Sequence, residues 1–203
     1  MAKLYENIKN ISCVDYFSNF LPEELAESAY DNIMEKVDFL SDEQSSIVLM
    51  GKKINIPRKQ CAYGNKGTSY KFTGVKVEGK SWEDAPILNN IKEYIHDHLG
   101  FPVNFVLINL YRDGNDYIGY HSDDEKDLDK KSPIVSLSFG AERPFLLRHK
   151  ITGVTYEKVL EDNSCIVMKH PCQSLYKHSI PKRKRIKKPR LNLTFRVITP
   201  LLI

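Results

Sequence analysis

From residue 101 onward the chain is written in short β-type runs. "VNFVLINLY", "PIVSLSFG", "PFLLRHK", "GVTYEKVL", "SCIVMK" and "RLNLTFRVIT" are rich in β-branched and aromatic residues and are separated by turn-forming ones. The first hundred residues read differently. "FLPEELAESAYDNIMEKVDFL" carries Leu25, Ala29, Ile33 and Val37 at helical spacing, with Pro22 at its start. "APILNNIKEYIHDHLG" repeats the pattern with Leu88, Ile91, Ile95 and Leu99, and Gly100 closes it. Helices followed by many strands imply an α+β domain whose second half is a sandwich or barrel. A length of 203 residues suits one such domain.

Strand periodicity sorts the polar residues of these runs. In "RLNLTFRVI" Leu191, Leu193, Phe195 and Val197 share one face, and Arg190, Asn192, Thr194 and Arg196 share the other. Two arginines facing a barrel interior need an anionic partner, because an unpaired buried guanidinium costs several kcal/mol. Asn109 and Tyr111 likewise share a face of "LINLY", which leads into the stretch "YIGYHSDDE".

In that stretch His121 and Asp123 are separated by one residue in extended chain, so both point to one side and can grip one ion. Two imidazoles and one carboxylate on one side of an iron leave positions open for substrate and oxygen. The second imidazole must come from elsewhere. His96 and His98 fall on different faces of a helix, and His149 ends a strand in "LLRHK" as an exposed residue. His170 and His178 remain, in "KHPCQSLYKHSIP". His178 is preferred for its place just before the basic run, but periodicity does not decide between them. His170 is alternatively a donor to a metal ligand or a capped turn residue.

The formal net charge of +4 does not announce a polyanion partner, yet "KRKRIKKPR" gathers seven of the thirty cationic residues at 182–190. Such a run suits a phosphate backbone or an import signal. Four cysteines form no CxxC pair, the N-terminus lacks the apolar run of a signal peptide, and no stretch approaches a membrane span. Reduced thiols, an intracellular location and no membrane contact are expected.

His121-x-Asp123, His178 and "RLNLTFR", with "IPRKQCAYG", "YKFTG", "FVLIN", "SPIVSLSFGA", "FLLRHK" and "YKHSIP", resemble the Fe(II)- and 2-oxoglutarate-dependent dioxygenases of the AlkB family, above all those that repair alkylated duplex DNA. The likeness extends over roughly residues 20–199. It implies a double-stranded β-helix, or jelly roll, with N-terminal helices and a nucleotide-recognition lid in about residues 1–100 and the catalytic core in about 101–203. It implies that His121, Asp123 and His178 ligate iron, and that Asn109, Tyr111, Arg190, Thr194 and Arg196 hold 2-oxoglutarate, the arginines pairing with its carboxylates. Arg58, Tyr70, Phe72 and Glu125 match positions lining the damaged-base pocket, where a flipped base needs a π-face and polar edges.

The activity so implied is oxidative demethylation of bases such as 1-methyladenine or 3-methylcytosine by a monomer that acts on double-stranded DNA, in the nucleus if the source is a eukaryote. The alternatives are demethylation of single-stranded DNA or RNA, and a non-catalytic nucleic-acid-binding jelly roll. Where relatives carry a hydrophobic finger, often with an aromatic tip, this chain offers Leu49 and Met50 in "IVLMGKK". Those two residues are expected to wedge into the duplex, or else to fill a buried strand.

Overall fold

The computed structural model describes residues 6–49, 51–72 and 75–199. In chain order the strands are β1 (Glu6–Asn7), β2 (Val14–Phe17), β3 (Ser46–Leu49), β4 (Lys52–Asn55), β5 (Lys59–Gly64), β6 (Ser69–Phe72) and β7 (Val75–Glu78). They continue with β8 (Phe105–Tyr111), β9 (Ile118–His121), β10 (Ile134–Gly140), β11 (Arg143–His149), β12 (Thr155–Leu160), β13 (Ser164–Met168), β14 (Tyr176–Ile180) and β15 (Arg190–Arg196). The α-helices are α1 (Glu23–Lys36), α2 (Pro86–Leu99) and the single turn α3 (Cys172–Leu175).

Two sheets face one another. A six-stranded sheet runs β2-β13-β10-β15-β8-β5, and a five-stranded sheet runs β1-β12-β11-β14-β9. This is the expected double-stranded β-helix. Both edge strands of the larger sheet come from before residue 100, so the core is not confined to residues 101–203. The strand Lys59–Gly64 escapes sequence reading because its residues are buried almost throughout and show no alternation.

The two long helices cover the outer face of the larger sheet. Ala26, Ala29 and Ile33 of α1 and Leu88, Ile91 and Ile95 of α2 pack against Val106, Ile108, Leu137, Leu191, Leu193 and Phe195. Each such side chain contributes about 1.5–3 kcal/mol by leaving water. Gly100 ends α2 in the left-handed conformation, at φ 71°, where its N–H donates to the carbonyl of His96. Because the leucines and Phe195 of β15 face these helices, Arg190, Asn192, Thr194 and Arg196 must face the space between the sheets.

Two hairpins stand beyond the sheet edge, one of β3 with β4 and one of β6 with β7. Gly51 turns the first at φ 76°. Its flanks are wet: Val48 is 74% exposed and Ile54 42%. The hairpin is therefore a surface feature and not a buried strand. The Leu49 side chain and the whole of Met50 lie outside the described residues, as does the Phe72 side chain.

Candidate active site

The site is built where the ends of both sheets meet. His121 closes β9 and His178 lies opposite it on β14 in antiparallel register. Their rings are 4.2 Å apart between centroids. Phe145, from the neighbouring β11, stacks on His178 at 5.5 Å. Asp123 follows β9 by two residues, and its backbone N–H donates to Gln173 Oε1 at 2.9 Å, which fixes the turn that presents its carboxylate. One ligand atom from each of His121, Asp123 and His178 lies within 4.8 Å of the others. His170, the rival candidate, is exposed and has Nδ1 3.3 Å from the carbonyl oxygen of Lys130. His149 is half-buried rather than exposed, because its Nδ1 accepts the N–H of Thr152 at 3.1 Å within the turn after β11.

Electrostatics prepare these three groups for a cation. Burial alone would raise the Asp123 carboxyl, but Arg196, the two imidazoles and Arg58 outweigh it and hold it below the ordinary carboxylate range. Burial, with His121 beside it, pushes His178 down to about 3. At neutral pH the site therefore offers an anionic oxygen and an unprotonated, buried imidazole.

A cavity of about 620 Å³ runs from the triad between the sheets. That volume falls in the range of small-molecule sites. Arg190 lies in its wall, fully buried, with Nη2 donating to Ser138 Oγ at 2.8 Å. Burial lowers Arg190 to about 10, so it stays cationic. The Tyr111 ring centre lies 5.2 Å from the Arg190 guanidinium carbon and 5.6 Å from that of Arg143. Asn109 and Thr194 line the same wall, with Asn192 between them in register, donating to Ser136 Oγ at 2.8 Å.

The arginines of β15 occupy different places. Arg196 donates from Nη2 to Asp123 Oδ2 at 3.0 Å and lies 4.3 Å from the centre of the Tyr70 ring, beside the triad. Nε and Nη1 of both guanidiniums are buried without an acceptor among the described residues. Charged donors left open in the cavity wall fit a small dianion such as a dicarboxylate. Arg58, Tyr70 and Glu125 line the mouth of this cavity, with Ile47 and Ile54 of the first hairpin. Burial lowers Arg58 and raises Glu125 and Tyr70.

Sequence reading missed several contributors. Gln60, Ser136, Ser138, Asn192 and Gln173 all orient site residues, yet their partners lie tens of positions away and leave no local signature. Asn192 was legible as a cavity-facing residue, since it sits between Arg190 and Thr194 on the alternating strand. Arg143 was not. It is 1% exposed and donates to the backbone carbonyls of Asp113, Asp116 and Pro181, stapling the loop before β9 to the start of the basic run.

Two imidazoles and a carboxylate on a double-stranded β-helix, beside a cavity lined by buried arginines, match the ligand set of a non-haem iron oxygenase. Residues 14–196 match the family model of the 2OG-Fe(II) oxygenase superfamily. Human DNA oxidative demethylase ALKBH2 is 38% identical over 181 residues, which cover 85% of this chain and 69% of the human one. The mouse protein of that name is 38% identical over 200 residues, covering 95% and 82%. Human alpha-ketoglutarate-dependent dioxygenase alkB homolog 3 is 34% identical over 154 residues, covering 71% and 52%. The solved structure of OsALKBH1 superposes with a TM-score of 0.59 at 17% identity over 91% of this chain and 97% of that one, a likeness of fold. The chain belongs to the 2OG-Fe(II) oxygenase superfamily and, within it, to the AlkB family. It is a dioxygenase that uses Fe(II) with 2-oxoglutarate and O2.

Proposed function

We propose that the protein repairs N-alkylated bases in DNA, of the 1-methyladenine and 3-methylcytosine type, and that duplex DNA is its preferred substrate. The observation that carries this reading is the single cavity joining the triad and Arg190 to a mouth lined by Arg58, Tyr70 and Glu125. His121, Asp123 and His178 would hold the iron. Arg190, Asn109, Tyr111 and Thr194 would hold the distal part of 2-oxoglutarate, with Arg196 placed between it and the triad. When bound, iron and 2-oxoglutarate would activate O2, one oxygen atom going into succinate as carbon dioxide leaves and the other hydroxylating the N-methyl carbon, which then departs as formaldehyde.

The chain's own residues supply orientation and exclusion of water. Arg196 donates to Asp123 Oδ2 and so holds the carboxylate with Oδ1 3.5 Å from His121 Nε2 and Oδ2 4.0 Å from His178 Nε2. At the mouth, Tyr70 offers aromatic surface while Arg58 and Glu125 offer a donor and an acceptor to the edge of a flipped base. A methylated base pairs poorly, which lowers the cost of flipping it.

The hairpins of β3–β4 and β6–β7 serve as the nucleotide-recognition lid, with Leu49 and Met50 as the wedge and Lys52 and Lys53 beside it for flanking phosphates. The basic run packs on the loop before β9, whose Tyr117 N–H donates to the Pro57 carbonyl at 3.1 Å just after β4. Gly114 N donates to Ile186 O at 2.9 Å and Arg183 N to Gly114 O at 2.7 Å, while the Lys182 ammonium sits 4.6 Å from the Tyr117 ring centre. A Cβ on Gly114 would come within 1.7 Å of the Arg183 carbonyl oxygen, so only glycine permits this backbone contact. Its backbone is anchored while the side chains of Lys184, Arg185 and Lys187 are exposed, as a phosphate-tracking ridge requires. The protein acts as a monomer, in the nucleus where the cell has one. Among the described residues no helix is long and apolar enough to cross a membrane.

The test is a side-by-side assay with Fe(II), 2-oxoglutarate and matched methylated duplex DNA, single-stranded DNA and RNA. Formaldehyde and unmodified base should form together, fastest on the duplex. Faster repair of RNA, or succinate release without base repair, would overturn the reading.

A further inference from the structure

We propose that Gln60 is a positioning residue for the co-substrate, acting through Asn109. Gln60 sits on the edge strand β5, directly opposite Asn109 of β8, and is fully buried. Asn109 Oδ1 accepts two hydrogen bonds, from Arg58 Nε at 2.9 Å and from Gln60 Nε2 at 2.9 Å. The chemistry of the donors fixes every orientation in this chain of three. A guanidinium nitrogen can only donate, so the Asn109 atom facing Arg58 must be the oxygen. The Gln60 atom facing that oxygen must then be its NH2. Asn109 is left to present Nδ2, a donor, toward the cavity it lines.

The arrangement is held against a local preference of Gln60. Its Oε1 is turned to a buried place with no partner among the described residues. A buried acceptor left open is unfavourable for the fold, which marks the orientation as one kept for the site. The same oxygen of Asn109 accepts from Arg58, so Gln60 and Arg58 together fix the orientation of the Asn109 amide.

This inference rests on the reading of Asn109 as a 2-oxoglutarate ligand. Its test is the equilibrium binding of 2-oxoglutarate to the Mn(II)-loaded protein without oxygen, by calorimetry, together with the melting temperature of the metal-free protein. Gln60→Met keeps the shape, removes the donor and also removes the orphaned acceptor. It should weaken 2-oxoglutarate binding by about five- to tenfold, the worth of one hydrogen bond, while the melting temperature stays level or rises. A purely structural Gln60 would lose both together. In an Asn109→Ala background the same change should have no further effect on binding. Gln60→Asn, which shortens the arm, reads the same quantity if the thioether fails to pack. Unchanged binding in either variant, or an equal loss with and without Asn109, overturns the role of Gln60. Wild-type protein that fails to bind 2-oxoglutarate would overturn the co-substrate reading as well.

Discussion

The two ends of the active-site cavity are made in different ways. The inner end, proposed above to hold the co-substrate, is written on β8, β10 and β15, three adjacent central strands whose cavity-facing side chains are buried and bonded to one another. The mouth is framed by two-stranded hairpins whose first member is largely exposed. Close packing on a wide sheet fixes a donor within tenths of an ångström. A hairpin held by few buried contacts opens locally at low cost. On the proposed function, a small dianion would need the first and a nucleic acid that must be distorted the second. Changes at the sheet end should therefore act on co-substrate chemistry, and changes at the hairpin end on the choice of nucleic acid.

The largest effect is expected at the junction of the two ends. Asp123→Asn should abolish turnover on every substrate, since it removes the only anionic ligand. Both variants leave Arg196 as an uncompensated buried charge and should lower stability by about 3–5 kcal/mol, Asp123→Ala the more because it also removes the oxygen that accepts from Arg196. Denaturant melts of both variants, beside formaldehyde release, separate the two losses. Activity in Asp123→Asn with iron bound would break the assignment.

Next is the sheet end. Arg190→Met should raise the KM for 2-oxoglutarate by about 30-fold or more, since truncating one partner of a buried charge pair costs about 2–5 kcal/mol. DNA affinity should stay within error. A matched fall in DNA affinity would show the two ends to be less separate than the structure implies.

The hairpin end should respond in the opposite sense. Leu49→Ala with Met50→Ala should cut duplex repair by about tenfold, the worth of a stacking-type contact of roughly 1–3 kcal/mol. Repair of single strands should be spared. An equal loss on both substrates with a lower melting temperature would make these residues part of the fold.

Neutralising Lys184, Arg185 and Lys187 should leave kcat unchanged. It should flatten the salt dependence of duplex binding by about 0.9 per lost phosphate contact. An unaltered slope removes the run from the interface.

The smallest effect concerns pH. The folded protein holds His178 unprotonated down to about 3, whereas the unfolded chain takes up a proton near 6.5. Between those values the unfolded state binds more protons, so stability falls as pH is lowered through about 6.5. Melting temperatures of metal-free protein at pH 7.5 and 5.0 should therefore differ more in wild type than in His178→Gln.

How much of this was legible in the chain depends on the range of the signal. The helices at 23–36 and 86–99, and the strand at 190–196, announce themselves because their buried partners lie on one face at a fixed local period. That period also put Arg190, Asn192, Thr194 and Arg196 on one side, and residue chemistry then demanded an anion. The pair His121 and Asp123 was local as well. Only the tertiary structure decided the rest. The choice of His178 over His170 is made by antiparallel register with His121, a pairing 57 positions apart. The separation of Arg196, bonded to Asp123, from Arg190, bonded to Ser138, follows from their places at opposite ends of β15. The recruitment of Lys59–Gly64 as a sheet edge, with Gln60 beneath Asn109, has no periodic trace, because a strand buried on both faces does not alternate. Short-range periodicity selects elements and faces. Which two buried groups meet is set by register and by sheet order, and those depend on every strand at once.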